Sequence, residues 1–182
     1  AIAAGGAMSV KYTAVLLLFA PMLAWVVVLG LWTRRPTAEV ARRAALFVAV
    51  ALLVMAPWLL RNALNTRNPV YPLMGSLFAS PNWDTVKDVR WMRAHSPGDT
   101  SPALIPAKAI EVLTFDQGNA SLALILFVPL GLLARRRTRC VALLLAVHAA
   151  ALFLLYFYFT QHNERFIEVG VTALAALSAL GL

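Results

Sequence analysis

Four cationic or titratable side chains beside long apolar runs are the candidates for chemistry: Lys11, Arg61, His162 and Arg165. Arginine forms paired hydrogen bonds with phosphate, and lysine supplies a compact positive charge. Histidine can transfer a proton near neutral pH. This combination is typical of a membrane-surface site that binds a lipid-linked phosphate. The same residue types also anchor helix ends to lipid headgroups or sit in solvated turns, so both interpretations stay open.

The segment Ala56–Pro72 surrounds Arg61 and changes from apolar to polar within a few residues. Trp58 and Tyr71 are side chains that favour the boundary between membrane and water. Two arginines and two amides lie between the aromatic residues: Arg61, Asn62, Arg67 and Asn68. We therefore expect a hydrophobic segment to leave the bilayer here, with a cationic, amide-rich cluster just beyond its end.

The composition indicates an integral membrane protein. The chain is 61% hydrophobic and 13% charged, with a mean hydropathy of +0.75, whereas soluble domains are about half apolar and a quarter charged. The net charge of +8 is concentrated in two arginine loops, which is how membrane proteins fix their orientation. No helix-turn-helix, zinc-finger or RNA-binding pattern is present, so we expect no nucleic-acid partner. Cys140 is the only cysteine, which excludes an intrachain disulfide and a cysteine metal cluster.

Long uncharged runs predict an all-α fold, a polytopic transmembrane helix bundle of about five spans with the first and last incomplete. Residues 1–182 are expected to be the C-terminal part of one integral membrane domain. The predicted elements are the end of a helix at Ala1–Val10, spans at Tyr12–Trp32, Ala44–Leu60, Asn119–Ala134 and Val141–Thr160, and an opening span at Val169–Leu182. Pro21 predicts a kink in its span, because proline cannot donate a helical hydrogen bond.

The arginine-rich loops 33–43 and 135–140 are predicted to be cytoplasmic. Loop 61–119 is then periplasmic or extracellular, on the same side as Lys11 and the turn Gln161–Arg165. Inside this loop the spacing of Trp83, Val86, Val89 and Met92 predicts a short amphipathic helix on the bilayer surface. Pro106 suits the first turn of another short helix, ending near Phe115.

Three motifs together resemble the GT-C membrane glycosyltransferases, which include protein mannosyltransferase-like and aminoarabinose-transferase-like enzymes. Gly5–Ala14 is similar to their glycine-rich hairpin with Lys and Tyr-Thr, and Pro57–Asn62 followed by Asn68–Pro72 is similar to their Pro-Trp, Arg-Asn and Asn-Pro-Val-Tyr-Pro segment. Gln161–Phe166 resembles the late His and Arg-Tyr/Phe turn. The chain departs from the family in two places. Ile167–Val169 follows Phe166 where a proline is usual, and Arg67 replaces a glycine.

The resemblance implies transfer of a sugar from a polyprenyl-phosphate carrier to an acceptor glycan, lipid or protein at the outer face of a bacterial inner or plasma membrane. It also implies a catalytic carboxylate, sometimes aided by a divalent metal, in an external loop that would precede Ala1. No catalytic residue or metal ligand is therefore expected in this chain. Membrane lipids and the carrier phosphate are the expected partners of Lys11, Arg61, His162 and Arg165.

Two competing interpretations remain. A transporter or flippase subunit without covalent chemistry would place ionisable residues along a path through the membrane. His148 is the only charged residue or histidine inside a predicted span, and a hydrogen-bonding role within the bundle is the simpler account of it. A structural membrane subunit would instead use the long loop to dock a partner. The acidic residues Asp84, Asp88, Asp99, Glu111 and Asp116 form no recognisable catalytic pattern.

Overall fold

The computed structural model describes residues 1–75, 77–78, 80–81, 83–114, 138–160, 162 and 168–179. Throughout these residues the regular structure is helical and no β-strand occurs, which confirms the predicted all-α class. The chain forms two compact units, Ala1–His95 and Ser96–Leu182.

The first unit is built around one long helix. Its elements are α1 (Ile2–Val10), a π-helical turn (Val15–Phe19), α2 (Ala20–Trp32), α3 (Thr37–Thr66) and α4 (Thr85–His95). Both α1 and α2 pack against α3. Met8, Ala51 and Met55 form a buried cluster between α1 and α3. Helix α1 approaches α3 through Gly5, where an added Cβ atom would lie 2.8 Å from the Val54 Cβ atom and against the Ala51 carbonyl oxygen.

The π-helical turn before α2 stands where the sequence predicts a distortion. Pro21 is a first-turn residue of α2, directly after the turn Val15–Phe19. Proline has no N–H group, so the preceding turn loses one α-helical hydrogen bond. A π-turn is one of the local adjustments that accommodate such a loss. The two segments together form one apolar stretch, Val15–Trp32.

Helix α3 is 30 residues long and exceeds the predicted span Ala44–Leu60 at both ends. At its start, Glu39 pairs with Arg35 at 2.8 Å and with Arg43 at 2.7 Å. These pairs lie four residues apart, a spacing that supports a helix, so most of the predicted basic loop 33–43 is helical. At its other end, α3 continues through Thr66, and Arg67 terminates it in the left-handed conformation, with φ of 59°.

The second unit contains α5 (Ile105–Thr114), α6 (Arg139–Phe159) and α7 (Glu168–Ala179), with a 3-10 turn at Pro102–Leu104 leading into α5. Helices α6 and α7 pack against each other. The side chains at the centre of this unit are at most 1% exposed: Leu152, Tyr156, Phe157 and Leu177. Helices α4 and α5 stand where the sequence predicts short helices in the segment between spans.

Among the described residues, three stretches are long and apolar enough to cross a membrane: Val15–Trp32, Thr37–Thr66 and Arg139–Phe159. Large apolar side chains on them point away from the protein, for example Leu53 (73% exposed) and Leu46 (62% exposed). Water would disfavour such a surface, whereas lipid chains cover it without cost. These helices are those of a membrane protein. The predicted span Asn119–Ala134 and residues 135–137 of the second arginine loop lie outside the described residues.

Candidate functional site at the end of helix α3

The end of α3 is joined to the connection between α1 and α2 by one side-chain hydrogen bond. Helix α1 ends at Val10, and Lys11 follows in an extended conformation. This change of direction carries Tyr12 towards α3, where the Asn62 amide donates to the Tyr12 hydroxyl oxygen at 2.9 Å. Asn62 is 9% exposed, although it follows directly on the exposed Arg61. The neighbours of two predicted phosphate-binding residues are thus in direct contact.

A second buried asparagine shapes the chain after α3. Asn68 is 1% exposed; its amide donates to the Leu73 carbonyl at 2.8 Å, and its oxygen accepts from the Val70 N–H at 2.9 Å. The Thr66 hydroxyl donates to the Asn62 carbonyl at 2.8 Å. We call Tyr12, Asn62, Thr66 and Asn68 the asparagine clasp. It satisfies polar groups that burial would otherwise penalise.

The structure divides the predicted cluster of two arginines and two amides into two parts. Asn62 and Asn68 point inward and are occupied by the asparagine clasp. Arg61 and Arg67 are exposed, and the Arg61 guanidinium lies 5.5 Å from the centroid of the Trp58 ring. Lys11 is exposed as well. The amides therefore hold the backbone in place, while the three cationic side chains are exposed.

Aromatic contacts connect the segment after α3 to α4. The Tyr71 ring meets the Trp83 ring edge-on, with centroids 5.3 Å apart. The Trp83 indole N–H donates to the Asp88 carboxylate at 3.1 Å. Tyr71 follows α3 closely, and Asp88 belongs to the first turn of α4. These contacts therefore fix the beginning of α4 to the segment that leaves α3.

His162 occupies a constrained position in the second unit, just after α6. Its Nε2 atom lies 2.7 Å from the Phe157 carbonyl oxygen, and its ring stacks on the Phe157 ring at 5.2 Å. Because a carbonyl oxygen only accepts, Nε2 carries the hydrogen of this bond. A Cβ atom at Gly98 would lie 2.9 Å from the Nδ1 atom of the same ring. His162 is therefore held by α6 and by the backbone at Gly98. Its neighbours Gln161, Glu164 and Arg165 lie outside the described residues.

Each described candidate carboxylate already makes a local structural bond. Asp84 accepts from the Lys87 N–H at 2.8 Å, and Asp99 accepts from the Ser101 N–H at 2.8 Å. Glu111 pairs with Lys108 at 2.8 Å, and Asp88 accepts from Trp83. Asp116 lies outside the described residues. Within the described ranges, no group of three His, Cys, Asp or Glu side chains could hold a metal ion.

The sequence singled out the cations of this site but not Tyr12, the residue to which Asn62 donates a hydrogen bond. One signal was present in the sequence. Asn62 and Thr66 lie four residues apart, so on a helix they share one face, next to an apolar run. Two such polar residues in helical register suggest a buried partner.

Comparison of the chain with protein-family models, curated proteins and solved structures finds no match.

Proposed function

We propose that this chain is part of a membrane glycosyltransferase. It moves a sugar from a polyprenyl-phosphate carrier to an acceptor glycan, lipid or protein at the outer face of a bacterial inner or plasma membrane. The observation that carries the proposal is the hydrogen bond between Tyr12 and Asn62. It joins two of the three motifs on which the resemblance to GT-C enzymes rests, and both motifs contribute an exposed cation, Lys11 and Arg61.

The chemistry requires a positively charged surface at the leaving group. The acceptor oxygen attacks the anomeric carbon, and the bond between that carbon and the phosphate oxygen breaks. The electron pair leaves with the polyprenyl phosphate, and the acceptor proton passes to a base. Lys11 and Arg61 stabilise the negative charge that grows on the phosphate. The proposal assigns no catalytic base and no metal ligand to residues 1–182.

The proposed topology has five spans, with the predicted helix at Asn119–Ala134 as one of them. Loops 33–43 and 135–140 are cytoplasmic, and loop 61–119 is external. The clustering of arginine in loops 33–43 and 135–140 supports this orientation. By resemblance and by this topology, the turn that contains His162 and Arg165 has the same carrier-binding role.

The proposal is tested in membranes that contain the full-length protein, with a radiolabelled polyprenyl-phosphate sugar. We expect Lys11→Ala, Arg61→Ala and Arg165→Ala each to lower the transfer rate by roughly 10-fold or more, because a charge-assisted hydrogen bond contributes about 1.5–3 kcal/mol. Lys108→Ala is the matched control, since Lys108 is already paired with Glu111. All variants should insert into the membrane in equal amounts. Wild-type rates in all three variants would remove these residues from the site.

The same preparation separates this proposal from the transporter or flippase interpretation. A flippase would move the labelled carrier across the bilayer and leave its sugar bond intact. Transbilayer movement of the carrier without any transfer to an acceptor would therefore contradict the glycosyltransferase proposal.

A further inference from the structure

Helix α4 carries an apolar stripe whose side chains are more than half exposed in the described part of the chain. Val86 is 65% exposed, Val89 58% and Met92 56%. Successive members are three residues apart, so they fall within an arc of about 120° on one side of the helix. No residue of α4 is buried. The stripe therefore contributes nothing to the core of its own unit.

Cations lie along one edge of the stripe. Lys87, Arg90 and Arg93 are all exposed. At about 100° per residue, Arg93 projects between Val86 and Val89, and Arg90 and Lys87 follow beyond Val86. Lys87 also pairs with Asp84 at 3.9 Å, and Asp88, the only acidic residue within α4, accepts a hydrogen bond from Trp83. Protein interfaces have cores from which charged residues are depleted. An apolar stripe with lysine and arginine along its edge is instead typical of a helix lying in a membrane surface. Its charge complements the phosphates of anionic lipids.

The beginning of α4 is also held near a membrane-crossing helix. Trp83 contacts Tyr71 and donates to Asp88, which connects the first turn of α4 to the chain that leaves α3. Asp84 stabilises the same turn by accepting the Lys87 N–H. Because α3 is long and apolar enough to span a bilayer, this attachment keeps α4 close to the bilayer surface.

We propose that α4 binds the surface of an anionic lipid bilayer. Val86, Val89 and Met92 enter the upper acyl-chain region, and Lys87, Arg90 and Arg93 contact lipid phosphates. This surface is distinct from the carrier-phosphate contacts of Lys11 and Arg61. The proposal does not depend on whether the chain acts on a sugar.

The single cysteine makes a depth measurement possible. In a Cys140→Ser background, a spin label is attached either at Val89→Cys or at Ala94→Cys, and the whole chain is reconstituted into phosphatidylcholine vesicles containing phosphatidylglycerol. Both positions are exposed, and they lie about 140° apart around the helix. Oxygen concentrates in lipid, whereas a water-soluble nickel complex stays outside. We expect the ratio of oxygen to nickel collision rates to be several-fold higher at position 89.

Two outcomes would overturn the proposal. Equal, nickel-accessible labels at both positions would mean that the stripe faces water. A label at position 89 protected from both oxygen and nickel would mean that protein covers it, as a second copy or another partner.

The role of the cations is measured separately. The triple variant Lys87→Gln, Arg90→Gln, Arg93→Gln is combined with the label at position 89. We expect its collision ratio to fall towards the value at position 94 in vesicles containing phosphatidylglycerol, and to change much less in pure phosphatidylcholine. An unchanged ratio in the anionic vesicles would contradict the lipid-charge part of the proposal.

Discussion

Tyr12 and Asn62 are 50 residues apart in the sequence, and a 2.9 Å hydrogen bond joins their side chains. The bond connects the end of a short helix packed on α3 with the last turns of α3 itself. Lys11 and Arg61 are the residues directly before them. Each cation is therefore the sequence neighbour of one of the two hydrogen-bonded residues. The bond limits how far the backbone segments that carry Lys11 and Arg61 can separate.

Tyr12→Phe removes the hydroxyl group and leaves the ring. The Asn62 amide keeps its 3.4 Å hydrogen bond to the Pro69 carbonyl but loses the shorter one to Tyr12. We expect the free energy of unfolding to fall by about 1 kcal/mol, the usual net value of such a bond. Thermal unfolding in detergent micelles measures this change. A double-mutant cycle with Asn62→Ala should give a coupling energy of similar size, and zero coupling would show that the two side chains act independently.

Gly5 and Gly6 form a matched pair in α1. An added methyl group at Gly5 meets the Ala51 carbonyl oxygen and the Val54 Cβ atom, whereas nothing lies within 4 Å of the same position at Gly6. Gly5→Ala should destabilise the protein by about 2 kcal/mol, because overpacking moves α1 away from α3. Gly6→Ala should be neutral or stabilising, by up to about 1 kcal/mol, since alanine favours helix. Equal melting temperatures for the two variants would contradict the close approach of α1 to α3.

Asn68→Ala tests the second buried amide of the asparagine clasp. The Val70 N–H and the Leu73 carbonyl lose their side-chain partner. We expect a loss of about 2–3 kcal/mol, as buried polar groups without partners are costly. Asn65→Ala is the control, because Asn65 is an exposed asparagine three residues away. Thermal unfolding of the two variants should differ clearly, and equal losses would mean that burial of Asn68 has no energetic consequence.

Gly98→Ala tests the position of His162. The new methyl group would lie 2.9 Å from the His162 Nδ1 atom, and the ring cannot turn aside without losing its hydrogen bond to Phe157. We expect a destabilisation of about 1–2 kcal/mol. The same substitution should cost much less in a His162→Ala background, where the ring is absent. A cost that is independent of the residue at position 162 would place the strain elsewhere in the loop.

The sequence correctly predicted the three membrane-length helices among the described residues, because length and the absence of charge decide them. Val15–Trp32 and Arg139–Phe159 match their predicted spans closely. The ends of α3 were predicted less well. Its first turns are stabilised by ion pairs of Glu39, and its last turns by contacts with residues distant in the sequence. A pattern based on hydropathy ends at the first charge, whereas the helix continues as long as its polar groups find partners.

The sequence predicted the cations of the candidate site but not the residues that hold them in place. Lys11 and Arg61 stand out as charges beside apolar runs, and that signal is local. Whether Asn62 and Asn68 face water or protein depends on Tyr12 and on the path of the chain to Leu73, which no local pattern encodes. The candidate carboxylates Asp84, Asp88, Asp99 and Glu111 illustrate the same limit. Each could have served in catalysis by type, yet each accepts a bond from a nearby residue.

The length of α3 has a consequence for the depth of the site in the bilayer. Its 30 residues extend about 45 Å, against about 30 Å of hydrocarbon in a typical membrane. The uncharged part, Ala44–Leu60, covers only about 25 Å, which leaves Arg61 near the level of the headgroups. A helix of this kind responds to bilayer thickness by tilting. Changing the acyl-chain length of the lipids should therefore move Arg61 and Tyr12 together, towards or away from the plane of the phosphates.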